Sequence, residues 1–130
     1  MTTVLLDTHT LYWWSADSSR LSATAAQSII DADELAVAAI SWFELAWMAQ
    51  NNRIAVPLPL KAWIDELASQ VQTFPITPSI AMAAVALPTS FPADPMDRLI
   101  YATAVEHGIQ LVTRDERILG YPPASGTAIW

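Results

Sequence analysis

Thr3-Val4-Leu5-Leu6-Asp7 opens the chain with a short apolar run that a carboxylate cuts off. Apolar on consecutive residues rather than alternate ones, such a run reads as a strand buried on both faces. Leu35-Ala36-Val37-Ala38-Ala39 and Gln110-Leu111-Val112-Thr113 have the same character. Longer segments with helical periodicity lie between them. Residues 22–31 put Ala25, Ile29 and Ile30 on one side, and Ser41-Trp42-Phe43-Glu44 opens a helix that stops near Asn51-Asn52. Leu60–Val71 and Ser79–Leu87 read as helices, and Asp94-Pro95-Met96-Asp97 starts another that ends at Gly108. Thr73-Phe74-Pro75-Ile76 is a weaker strand, placed at an edge by its proline, and Thr127–Trp130 adds another edge strand. Strands alternating with helices predict an α/β fold around a mostly parallel sheet, with residues 1–130 forming a single domain.

Composition narrows the function. Hydrophobic residues make up 53% of the 130 and charged residues 15%, which excludes intrinsic disorder. The mean hydropathy of +0.31 is high for a soluble monomer and points to apolar surface covered by a partner. With no cysteine there is no disulfide, thiolate metal site or Cys nucleophile. Three glycines, at 108, 120 and 126, cannot build a Gly-rich phosphate loop. The longest apolar runs, such as Ile80–Leu87, are too short to span a bilayer, and Met1-Thr2-Thr3 carries no basic leader, so a cytoplasmic location is expected. A net charge of -7 argues, taken alone, against nucleic-acid binding. Clustered carboxylates, however, can hold a cation, which reverses the local sign.

Four acids fall where parallel sheets bind ligands, beyond the carboxyl ends of the strands. Asp7 ends the first strand, Glu44 lies in the first turn after the second, Asp97 opens the helix before the third, and Asp115 follows that strand. Oxygen ligands alone suit Mg²⁺ or Mn²⁺ rather than zinc. Each acid also has a local reading. Glu44 three residues after Ser41 fits a capping box, Asp94 and Asp97 suit a helix start, and Asp115 can cap the next short helix. Asp7 is the hardest of them to dismiss, since a carboxylate ending a buried strand needs a partner. Thr8 and Thr113 stand beside acids, and Arg98 and Arg114 can meet phosphate or pair with carboxylates; Arg98 is read as structural. His9 and His107 read as solvent-facing or capping, and no Ser-His-Asp arrangement or nucleophile elbow is present.

Val4-Leu5-Leu6-Asp7-Thr8-His9, Ile40-Ser41-Trp42-Phe43-Glu44-Leu45, Asp94-Pro95-Met96-Asp97-Arg98-Leu99-Ile100 and Leu111-Val112-Thr113-Arg114-Asp115 follow one another in order. Together they closely resemble PIN-domain proteins, specifically the VapC-like toxins of bacterial type II toxin–antitoxin pairs. The resemblance implies a three-layer α/β/α sandwich and a Mg²⁺-dependent endoribonuclease, with Mn²⁺ a substitute. It carries the acidic quartet onto Asp7, Glu44, Asp97 and Asp115, with Thr113 as supporting hydroxyl and Asp7 and Asp97 as the metal-binding pair. Such an enzyme uses its cation to acidify and orient water and to shield phosphate charge. Glu44 is then either the proton acceptor or an outer ligand.

The resemblance also gives the surplus apolar residues a use. Leu11-Tyr12-Trp13-Trp14, Trp42-Phe43 and Trp47-Met48 exceed what a small core hides, and they fit a homodimer face and a groove for an antitoxin segment. Two rivals stand beside this reading. A phosphoacceptor receiver domain needs a late lysine, and Lys61 is the single lysine, in mid-chain. A non-catalytic PIN-like interaction module would have no need of its acids.

Overall fold

The computed structural model describes residues 1–57, 59–122 and 126–130. Its elements run β1 (Thr3–Leu6), α1 (Thr8–Ala16), α2 (Ala23–Asp31), β2 (Glu34–Ala38), α3 (Ala39–Gln50), α4 (Leu60–Ala68), β3 (Gln72–Phe74), α5 (Pro78–Ala86), α6 (Pro95–His107), β4 (Gln110–Val112), α7 (Glu116–Leu119) and β5 (Ala128–Ile129). The strands form one sheet in the order β3-β2-β1-β4-β5, and every neighbouring pair is parallel. The expected α/β sandwich is therefore present, with both weak strands at the edges.

Consecutive residues of each inner strand feed different layers. Val4, Leu6, Val37 and Val112 face a core with Leu11 of α1, Ala25 and Ile29 of α2, Leu45 and Met48 of α3, and Leu67 of α4. Leu5, Ala36, Ala38 and Leu111 face a second core with Ile100, Tyr101 and Ala104 of α6, Ile118 of α7 and Phe91. Burial on both faces explains why these strands are apolar without alternation. Ile80 and Ala84 of α5 pack on Ala102 of α6 as an outer layer.

Local chemistry sets several helix ends. Ser22 caps α2 through the Ala25 N–H, Thr77 caps α5 through the Ile80 N–H, and Gly108 ends α6 at φ 63°, a conformation glycine adopts freely. Three boundaries differ by more than one residue from the sequence expectation. Helix α3 begins at Ala39 directly after β2, with no side-chain cap, so Ser41 lies inside the helix and the capping box with Glu44 does not form. Its hydroxyl is buried and accepts a hydrogen bond from Thr8 Oγ1 at 3.1 Å, which ties the starts of α1 and α3 together. Helix α4 stops at Ala68 rather than Val71, and β3 ends at Phe74 because Pro75 supplies no ladder N–H.

Candidate metal centre

The chain runs β1 to β3 outward on one side of the sheet and then crosses to β4, so β1 and β4 flank the point where strand order reverses. Crevices beyond the carboxyl ends of strands open at such points. A cavity of about 440 Å³ lies there, walled by Asp7, Glu44, Asp97 and Asp115, with Thr8, His9, Trp13 and Arg114 among its neighbours. Four separate stretches of chain thus bring their acids to one place.

Register explains the pairing of the first two. Leu6 is the partner of Val112 across β1 and β4, so the next residues, Asp7 and Thr113, emerge side by side. Asp7 Oδ2 accepts from Thr113 Oγ1 at 2.5 Å, and Asp7 Oδ1 accepts from the Thr10 N–H at 2.8 Å, making Asp7 the N-cap of α1. The Thr113 hydroxyl in turn accepts from the Asp115 N–H at 3.1 Å. Asp115 caps α7 through the Arg117 N–H at 2.9 Å, as its local reading expected, and it still lines the cavity. Asp94 likewise caps α6 through the Met96 N–H at 2.8 Å, which leaves Asp97 in the first turn facing the other acids. Capping and cavity lining are therefore not exclusive.

Electrostatics single out Asp97. Its own burial, reinforced by Asp94, Asp115 and Glu44, pushes its pKa up to about 6 despite the opposing pull of Arg117. Asp115 moves the other way, held below the usual range chiefly by its hydrogen bond to the Arg117 side chain. Arg117 was not among the residues singled out from sequence, yet its Nη2 reaches Asp115 Oδ2 at 2.8 Å and Asp97 Oδ2 at 3.3 Å. Its Asp115 contact is two residues away in sequence, but its Asp97 contact spans 20 residues and is set by the fold.

Arg98 is structural, though not by pairing with a carboxylate. Its guanidinium donates to the carbonyls of Ala84, Leu87, Pro88, Phe91 and Pro92 and so holds the segment between α5 and α6. The Arg114 guanidinium stacks over Trp13 at 5.7 Å from the ring centroid. His9 is exposed and packs against the same Trp13, while His107 stacks on Phe74 at 3.9 Å between centroids.

The donor set fits a hard divalent cation. It is all oxygen, it gathers several carboxylates, and the pKa of Asp97, raised chiefly by burial and further by the neighbouring acids, marks a carboxylate that a cation would stabilise in its charged form. Among the described residues, no three acid or histidine side chains converge as a ready-made cage, and a guanidinium lies between two of the acids.

Comparison with known proteins agrees with this architecture. The PIN domain family matches residues 4–122. The chain belongs to the PIN-domain family. It is 58% identical over 130 residues to Ribonuclease VapC22 of Mycobacterium tuberculosis, covering all of both chains, and it groups with the VapC members. Among solved structures, it resembles a toxin–antitoxin complex from Klebsiella pneumoniae with a TM-score of 0.70 at 22% identity, covering 98% of this chain and 96% of that one. It also resembles VapBC2 from Rickettsia felis bound to a DNA fragment from their promoter, with a TM-score of 0.66 at 14% identity, covering 88% and 89% respectively. At these identities the structural likeness shows the fold.

Proposed function

We propose that this chain is a Mg²⁺-dependent endoribonuclease, the toxin of a toxin–antitoxin pair, for which Mn²⁺ can substitute. The observation that carries the reading is the meeting of Asp7, Glu44, Asp97 and Asp115 in one cavity of a chain 58% identical to a ribonuclease. Asp7 and Asp97 hold the cation, Asp115 completes its surroundings, and Thr113 fixes the direction in which Asp7 presents its carboxylate. When bound, Mg²⁺ acidifies water and shields charge on the scissile phosphate. The Glu44 side chain lines the same cavity and is the acid left to accept the proton of the attacking water. The Arg114 guanidinium, on the cavity wall, meets a phosphate of the RNA. With a net charge of -7, non-specific grip on RNA is weak, and shape or single-stranded loops select the target.

Two apolar surfaces supply the partners. Phe43 and Trp47, 58% and 46% exposed, line a groove with Met48, Met96 and Arg53 that shares Glu44 and Asp94 with the acidic cavity. An antitoxin segment laid there covers the aromatics and blocks the site. Met82 and Val85 of α5, with Val105 of α6, are exposed on the outer helical layer and suit a second copy of the chain. Among the described residues no helix is long and apolar enough to cross a membrane.

The test is incubation of total cellular RNA with purified protein and Mg²⁺ or Mn²⁺, beside EDTA and Asp97→Asn lanes. Discrete fragments confined to the metal-loaded wild type establish the nuclease. Intact RNA from folded, antitoxin-free protein across RNA pools favours the interaction-module reading instead.

A further inference from the structure

The two Oδ2 atoms of Asp97 and Asp115 converge on one nitrogen, Nη2 of Arg117, at 3.3 and 2.8 Å. Nε of the same guanidinium reaches Asp115 Oδ1 at 3.2 Å, so Asp115 is gripped by a two-pronged fork while Asp97 is held by its tip. We propose that Arg117 is a built-in competitor of the divalent cation, a side chain whose guanidinium closes the Asp97–Asp115 side of the site until the metal displaces it. The inference rests on the metal-site reading above and adds a residue that sets its affinity.

Three observations support it. A cation shared by those two oxygens and the guanidinium nitrogen exclude each other, because both need the same point. The latch is displaceable: the Arg117 side chain is 65% exposed, and exposed ion pairs are worth little each. It is also local, since Arg117 rides on the short α7 whose start is capped by Asp115, one of the acids it covers. Once displaced, the guanidinium has a second surface to occupy, because Arg117 also borders the adjoining hollow lined by Thr89, Ser90 and Arg98.

The experiment is calorimetric titration of Mn²⁺ into metal-stripped protein, with no RNA and no turnover, for wild type, Arg117→Gln and Arg114→Gln. The backbone N–H at 117 keeps its cap bond to Asp115 in the glutamine variant, so α7 retains its start. Arg114 lines the same cavity but makes no ion pair among the described residues, and its variant measures what loss of a nearby positive charge does by itself. The expected result is Mn²⁺ bound about fivefold more tightly by Arg117→Gln than by wild type, with a smaller change for Arg114→Gln. Melting temperatures of the stripped proteins give a second readout: Arg117→Gln falls below wild type without metal and matches it at saturating Mn²⁺. Unchanged or weaker binding by Arg117→Gln, or equal gains in both variants, overturns the latch while leaving the metal site standing. Absence of binding in all three proteins overturns the metal-site reading and the latch with it.

Discussion

Thr113 Oγ1 donates to Asp7 Oδ2 across 106 residues of chain and accepts from the Asp115 backbone at the same time. One buried hydroxyl therefore sets the direction of one acid and the position of another. Its proton is committed to Asp7, and the bond orients that carboxylate.

Thr113→Val keeps the shape of the side chain and removes both bonds. We expect a loss of about 1–3 kcal/mol in unfolding free energy, because the buried end of the Asp7 carboxylate loses its donor. Thr113→Ser should recover most of it. Urea denaturation of the three proteins checks this, and equal stability of the valine variant and wild type would refute the orienting role.

Asp97 makes the metal-free protein less stable at neutral pH. Its carboxyl titrates near 6 in the folded chain, above its ordinary value of 3.8, so the folded state holds the proton to higher pH than the unfolded one. The sign follows: stability contributed by this group is greatest below about pH 4, falls as pH rises through 6, and stays reduced above. Asp97→Asn should raise the stability of EDTA-treated protein at pH 7.5 by about 1–3 kcal/mol and lose that advantage near pH 4. Thermal melts at both pH values measure it. Adding Mg²⁺ should raise the wild-type melting temperature far more than that of the variant.

Arg98 binds five carbonyls, a role that needs the planar fork of a guanidinium. Arg98→Lys keeps the charge but can reach only some of those oxygens. A loss of about 2–4 kcal/mol is expected, since the carbonyls left behind are partly buried. Chemical denaturation decides, and a change below about 0.5 kcal/mol would mean that water replaces the guanidinium without cost.

Trp47 is exposed and carries Arg53 against its ring at 5.5 Å, a surface arrangement that contributes little to folding. Trp47→Ala should leave the melting temperature within a few degrees of wild type. Affinity for the antitoxin, measured by titration calorimetry, should drop at least about tenfold, the usual behaviour of an aromatic anchor. Full affinity in the variant would move the antitoxin to another face.

Features that depend on neighbours in sequence were legible without a structure. Consecutive apolar residues mark β1, β2 and β4 because a strand covered on both faces needs apolar side chains on each. Asp94, Asp115 and Gly108 announce helix ends because a cap bonds N–H groups within three residues, and a positive φ is a property of one residue. Even Asp7 stood out alone, since a carboxylate closing a buried strand requires a partner. What the chain order does not contain is which strands lie side by side. The order β3-β2-β1-β4-β5 pairs Asp7 with Thr113 and brings Asp97 toward Asp115, and it depends on packing summed over two cores. The same packing buries Ser41 inside α3 against Thr8, where its spacing to Glu44 suggested a cap. It also decides where the cationic side chains go: Arg98 into a ring of carbonyls and Arg117 onto two acids. Cap and strand signals are written by local backbone hydrogen bonding, whereas a long flexible cation takes whatever oxygens the assembled fold presents within its reach.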